Sequence, residues 1–225
     1  MTPERDRRPD VAMTVVGPRA GTPLLDAAEG LHEALPGHRV EIVGGRLLVT
    51  PPPDSGHARS LTRLTFALAP FQGHGTEVVQ GVGLWLPTGD EDYAVPDLAV
   101  VEVGFGKHAV AFNCCAPEVF RMVVEITSSN RITDLTTKPQ SYAAAAVPVY
   151  VVGDRRRREV VVFSDPRGGE YRSRAVYPSG ERFLVPEVVR MGSDFPADPR
   201  SDGSDGTDGA GPPVELDVDD FLIVE

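Results

Sequence analysis

The sequence predicts an α/β (α+β) domain, a mixed central β-sheet flanked by helices and entered through an N-terminal helix and a β-hairpin. Three observations predict it. Leu24–Leu35 and Leu61–Leu68 carry apolar residues at helical spacing. Leu98–Val101 is an apolar run of strand length, and Val123–Ile126 is another interrupted only by Glu125. Arg121–Asp154 reads as strand, helix and second strand in succession.

Residues 1–21 hold prolines and arginines with little periodicity and read as a disordered leader. A folded domain is expected over residues 22–190. It starts with a helix from Pro23 (Leu24, Leu25, Ala28, Leu31, Leu35) that Pro36-Gly37 ends. Val40–Val43 and Arg46–Thr50 flank Gly44-Gly45 as a hairpin, closed by three prolines. Ser55–Phe71 reads as an amphipathic helix with Asp54 or Ser55 as its N-cap. Glu77–Leu86 alternates like one strand, with Trp85 on its other face, and Gly89-Asp90-Glu91-Asp92 reads as a surface loop.

Pro96 suits a strand start because it lacks a ladder donor. Residues 103–117 form a connection of no evident role. Pro139 suits the first turn of a helix, which places the helix start at Thr136 or Thr137 and puts Lys138 at a helix N-terminus. Val149–Val152, Glu159–Ser164 and Tyr171–Val176 complete the strands, and Arg155–Arg158 reads as a solvated turn. Residues 191–213, rich in Asp, Gly and Ser, read as disordered, and residues 214–225 as a segment that docks on the core.

Bulk properties narrow the function. The 225 residues suffice for one well-filled core. No apolar run is long enough to span a bilayer, and Met1–Arg8 is charged with no apolar stretch behind it, so neither membrane partner nor signal peptide is expected. The only cysteines, Cys114 and Cys115, are adjacent; with no useful disulfide, the location expected is cytoplasmic. His108 alone stands near them, too little for zinc. Of the net charge of −11, residues 194–225 contribute −9 through ten acids and one arginine, leaving −2 for the rest. No basic stripe stands out, which argues against tight duplex binding.

Glu125 interrupts an apolar strand, and Asp97 opens another. A buried carboxylate without a partner costs several kcal/mol, roughly, so each demands a cation, a donor or water. Two such acids with Lys138 nearby suit a hard divalent cation and an anionic substrate. The same residues also fit a structural reading: Asp97 capping a turn, Glu125 paired with an arginine, Lys138 solvated. Glu41 is either the exposed member of an alternating strand or a further ligand. His57, in a helix first turn, has no nucleophile at an interpretable spacing, and Tyr142, four residues after Lys138, either orients it or packs.

Five blocks, VEIVGGRLLVTPPPDSGH, VPDLAVVEV, VVEITSSNRITDLTTK, SYAAAAVPVYVVGD and a strand pair near VVVFSD, resemble in their order and spacing the Uma family of restriction-type endonucleases, a branch of the PD-(D/E)XK nuclease superfamily. The likeness covers about Leu31–Val185. It implies a restriction-endonuclease-like fold, a Mg²⁺ cofactor with Mn²⁺ as substitute, and DNA as substrate. Asp97, Glu125, Lys138 and Glu41 match catalytic positions. Asp97, Glu125 and the Ile126 carbonyl match metal ligands; His57, Thr127 and Tyr142 stand behind them. Two departures stand out: Thr127 occupies the usual lysine position, so that Lys138 on the next helix must replace it, and Ala146 stands where the family has glycine. A symmetric homodimer is a further expectation. Two other functions remain open: a silent binding module on the same fold, and a hydrolase of small phosphate or nucleotide substrates.

Overall fold

The computed structural model describes residues 23–73, 75–128, 130–190 and 213–224. The expected leader (1–21) and nearly all of the expected acidic insert (191–213) lie outside the described residues. In chain order the elements are α1 (Leu24–Ala34), β1 (Arg39–Ile42), β2 (Leu47–Thr50), α2 (Ser55–Ala67), β3 (Thr76–Val79), β4 (Gly83–Trp85), β5 (Tyr93–Ala94) and β6 (Leu98–Glu102). Then come β7 (Cys114–Cys115), β8 (Phe120–Ile126), α3 (Arg131–Ala144), β9 (Val149–Asp154), β10 (Glu159–Arg167), β11 (Glu170–Pro178), β12 (Arg182–Leu184) and β13 (Glu215–Asp217).

The central sheet is mixed and six-stranded, in the order β11-β10-β9-β8-β6-β3. Its one parallel pair is β8–β9, joined through α3, as a parallel connection requires a long crossover. Beside it stands a second sheet, β2-β1-β5-β4-β7, and a two-stranded ribbon of β12 and β13. One face of the central sheet buries Met122, Val124 and Val151 against Leu64 of α2, Leu68 at its C-cap and Phe221 of the final segment. The other face buries Val123, Val152 and Val161 against Tyr142 of α3. Residues 214–224 therefore complete a core. Gly153 marks how close they come: a Cβ there would stand 2.8 Å from Cβ of Phe221.

Local chemistry accounts for several elements. Gly44 (φ 59°) and Gly45 (φ 67°) form the two-residue turn that the hairpin β1–β2 demands. Their N–H groups donate to the two carboxylate oxygens of Asp92, at 2.9 and 3.0 Å. Asp92, read from sequence as part of a surface loop, is thus buried and pins the turn. Asp54 is the N-cap of α2 and accepts from the N–H of His57 at 2.7 Å. After α3, Ala146 takes φ 56°, its N–H bonding Ala143 O while Val147 N–H reaches Tyr142 O. That is a Schellman ending with alanine in the place glycine usually fills.

Two expectations are corrected, and one open connection is resolved. Glu77–Leu86 is two strands in two different sheets, because Gly81 takes φ 68° and turns the chain between β3 and β4. Helix α3 begins at Arg131, so Lys138 lies in its interior and Pro139 inside the helix. The lost Pro139 N–H is a local defect, and the neighbouring carbonyl of Asp134 takes up the Tyr150 hydroxyl at 2.7 Å. The connection 103–117 contains a 3₁₀ turn, Phe105–His108, and the short strand β7, which pairs parallel to β4.

Candidate active site

Four elements bring charged side chains to one buried cluster. Strand β1 carries Arg39 and Glu41 two residues apart, so both side chains leave the same face. Asp97 immediately precedes β6, and Glu125 lies near the end of β8; both strands are interior to the sheet. The sequence places these acids at one edge of the sheet; the structure instead places them on interior strands, at the strand ends. Helix α3 presents Asp134, Lys138 and Tyr142 at i, i+4 and i+8, one stripe facing the sheet.

Lys138 Nζ is the inner hub. It lies 2.6 Å from Glu125 Oε1, 3.0 Å from Glu41 Oε1 and 3.5 Å from Asp134 Oδ1, with no exposure to solvent. The Tyr142 hydroxyl donates to Glu125 Oε1 at 3.0 Å, so Tyr142 is part of the cluster as well as of the core. Arg39 is the outer hub. Its Nη1 donates to Asp97 Oδ1 at 2.6 Å and to Val95 O at 3.0 Å, while Nε stands 3.6 Å from Glu41 Oε2 and Nη2 3.8 Å from Glu125 Oε2. Asp97 Oδ2 accepts the backbone N–H of Ile126 at 2.8 Å, and His57 Nε2 lies 3.3 Å from Asp97 Oδ1. Glu41 Oε1 also accepts the N–H of Val95 at 2.8 Å.

The structure thus brings together Asp97, Glu125, Lys138, Glu41, His57 and Tyr142, with the Ile126 backbone alongside. Glu41 is fully buried, which removes the reading of an exposed strand residue. Thr127 stands apart: its hydroxyl donates to Gly153 O at 3.0 Å and accepts from Arg155 N–H at 3.1 Å, tying β8 to the turn after β9. In that turn Arg156, Arg157 and Arg158 are exposed, as expected, while Arg155 holds Asp54 through Nη1 and Nη2. Two members escaped the sequence reading, Arg39 and Asp134. Their signals were the i, i+2 spacing of Arg39 with Glu41 on a strand and the i, i+4 spacing of Asp134 with Lys138 on a helix.

Charge explains the protonation pattern. Glu41, Asp97, Glu125 and Asp134 face two fixed cations, a formal balance of −2 before His57 is counted. Burial pushes Glu125 up to about 8; Lys138 opposes this and Asp97 reinforces it. Burial likewise lifts Asp134 to about 6. For Asp97 the same burial is outweighed by Arg39, His57 and the Ile126 N–H, which hold its carboxyl well below the usual range. Glu41 is lowered too, burial being outweighed by Lys138 and Arg39. Burial pulls on Lys138, but the three acids around it keep its ammonium charged above the ordinary lysine value.

A hard dication fits this set by charge and donor type: with all four carboxyls ionised it would offset their excess over the two cations, and the donors are carboxylate oxygens. Asp134 Oδ1, buried and without a hydrogen-bond partner among the described residues, has only the Lys138 ammonium at 3.5 Å and so retains acceptor capacity. No three acidic, histidine or cysteine side chains among the described residues stand ready-spaced around an empty centre. The physical reason is that the Arg39 and Lys138 nitrogens lie between the carboxylates. Among the described residues no helix is long and apolar enough to cross a membrane.

No curated protein is significantly similar to the chain. Among solved structures, the fold is similar to a protein from Anabaena variabilis described as "a putative nuclease belonging to DUF820", with TM-score 0.50, 16% identity, and 65% of this chain and 80% of that chain covered. The architecture, three α-helices among the described residues with large mixed sheets, is a restriction-endonuclease-like nuclease fold. A family described as "Putative restriction endonuclease" (Uma2) matches residues 28–198, most of the chain and all four elements of the cluster. The chain belongs to that Uma2 family.

Proposed function

We propose that the protein is a divalent-metal-dependent endonuclease that hydrolyses DNA phosphodiester bonds, with Mg²⁺ as its ion and Mn²⁺ as a substitute. The observation that carries the reading is the convergence of Glu41, Asp97, Glu125 and Lys138, from β1, the start of β6, β8 and α3, on one cluster with surplus negative charge. Restriction-endonuclease-like families generally use divalent metals.

In this reading Asp97 and Glu125, with Glu41 and the Ile126 carbonyl, would hold the ion. When bound, it supplies Lewis-acid polarisation of the phosphoryl oxygen and a more acidic water. The chain's own residues do the rest. The N–H of Ile126 and the His57 imidazole fix the orientation of Asp97. Tyr142 and Lys138 fix Glu125, and Lys138, whose charged form the neighbouring acids favour, keeps a positive charge beside the carboxylates where negative charge develops on the phosphate.

The test is a cleavage assay with Mg²⁺ or Mn²⁺ on supercoiled, linear duplex and single-stranded DNA, run beside Asp97→Ala and with a small phosphodiester in parallel. Wild type should cut DNA, and Asp97→Ala should be slower by about a hundredfold or more. Equal trace activity in both proteins would sink the enzymatic reading in favour of a binding module. Turnover of the small ester alone would redirect it to small phosphate substrates.

A further inference from the structure

We propose that Arg39 is a displaceable cation, seated among the carboxylates in the metal-free protein and moved aside when a divalent ion binds, with Glu29 and Glu33 of α1 as its second seat. The inference rests on the metal-dependent reading of the site and concerns how that site is loaded.

The two cations of the cluster differ in freedom. Lys138 is enclosed, with no solvent exposure, and its ammonium is held by three acids from β1, β8 and its own helix. The Arg39 side chain retains 22% exposure. It touches Asp97, Glu41 and Glu125, three carboxylates that the proposed ion would need. A guanidinium and a dication on the same oxygens repel each other at short range in a poorly screened site, so the two compete for Asp97 Oδ1 and for the Oε2 atoms of Glu41 and Glu125, whereas Lys138 sits nearest the Oε1 atoms. Two of the Arg39 contacts, at 3.6 and 3.8 Å, are loose, and its Nε lacks a hydrogen-bond partner among the described residues.

Arg39 also has somewhere to go. Alone among the cluster residues it lines a cavity of about 440 Å³, whose wall includes Glu29, His32 and Glu33. Glu29 and Glu33 are exposed and four residues apart on α1, hence on one helical face. They offer an arginine that swings outward a carboxylate pair in a wetter setting. Arg39 thus stands between a negative cluster that needs a counter-charge and an acidic cavity that accepts one. The ion competes with the arginine for the first; the glutamates ease its departure to the second.

The test is Mn²⁺ binding by titration calorimetry to the full-length chain as wild type, Arg39→Gln and Glu29→Gln/Glu33→Gln, with circular dichroism to verify folding. Arg39→Gln removes the competitor and should bind Mn²⁺ about tenfold more tightly. Glu29→Gln/Glu33→Gln removes the second seat and should bind roughly twofold to fivefold more weakly, the range of exposed ion pairs. If wild type binds the ion and Arg39→Gln binds it equally or more weakly, the displacement is wrong while the metal reading survives. If none of the folded proteins binds Mn²⁺, both are wrong. Should Arg39→Gln fail to fold, the glutamate variant decides, and an affinity equal to wild type overturns the inference.

Discussion

Strand β8 has two buried faces that solve opposite problems. Met122, Val124 and Ile126 point into a dry core against α2 and the final segment. Val123 and Glu125 point the other way, where the apolar layer of Tyr142 and Val152 gives way at the end of the strand to four carboxyls, a lysine and an arginine. The first face stabilises by removing apolar surface from water, at about 25 cal/mol per Å². The second face owes its existence to something other than stability, since buried ions recover their desolvation cost only partly through pairing. The comparison teaches that one strand both anchors the fold and carries a strained charge assembly, and that the apolar face holds the polar one in place.

Substitutions can break or sharpen this contrast. The largest effect is expected from Lys138→Met, which keeps the volume but leaves Glu125 and Glu41 without their inner cation. It should destabilise the fold by about 3–5 kcal/mol in chemical denaturation. Adding Glu125→Gln should recover at least about 1 kcal/mol of that loss, because the two groups are in contact; strict additivity would show that the pair is not coupled. On the apolar face Met122→Ala should cost about 2–5 kcal/mol, with no rescue by any change in charge or pH.

The pH dependence separates the faces next. Glu125, raised from 4.5 to about 8, and Asp134, raised from 3.8 to about 6, bind protons more tightly folded than unfolded. Their contribution is therefore full at low pH and is lost as pH climbs from about 4 through 8. Asp97, whose carboxyl is lowered, acts oppositely and only below the ordinary aspartate range. With a chelator present, the melting temperature should fall between pH 5 and 8, by about 2–4 °C for each kcal/mol, and Glu125→Gln should flatten the slope. A flat wild-type profile would contradict the charge surplus. Tyr142→Phe, which removes one hydrogen bond to Glu125, should cost about 1 kcal/mol. The smallest effect is Ala146→Gly, a gain of about 0.5 kcal/mol from relieved left-handed backbone, offset in part by greater freedom of the unfolded chain.

Legibility followed the range of the interactions. Helices α1 and α2, hairpin β1–β2 and strands β8 to β11 were readable because periodicity, capping and glycine turns act within a few residues. Helix α3 was placed too late because Pro139 outweighed the signal from Arg131, and a tertiary partner, the Tyr150 hydroxyl, serves a carbonyl beside the defect. The break at Gly81 was missed since alternation continues across it on paper, while the two halves pair in different sheets. Asp92 looked like a loop acid because its partners, Gly44 and Gly45, lie nearly fifty residues earlier. Within the site, Glu41, Asp97, Glu125 and Lys138 were marked by acids breaking apolar runs and by their resemblance to family blocks. Arg39 and Asp134 broke no such run and raised no flag.

By itself the sequence determined the order and type of most elements, the two strands that carry a carboxylate, and the turns, since these follow from the covalent preferences of neighbouring residues. Only the tertiary structure decided that Arg39 and Lys138 share the carboxylates of Glu41 and Glu125 and that Asp97 is closed off by Ile126 and His57. Apart from Arg39 and Glu41, neighbours on β1, the paired groups lie 13 to 97 residues apart along the chain. What sets their charge is the depth of burial and the company of other charges, both properties of the folded volume rather than of any stretch of chain.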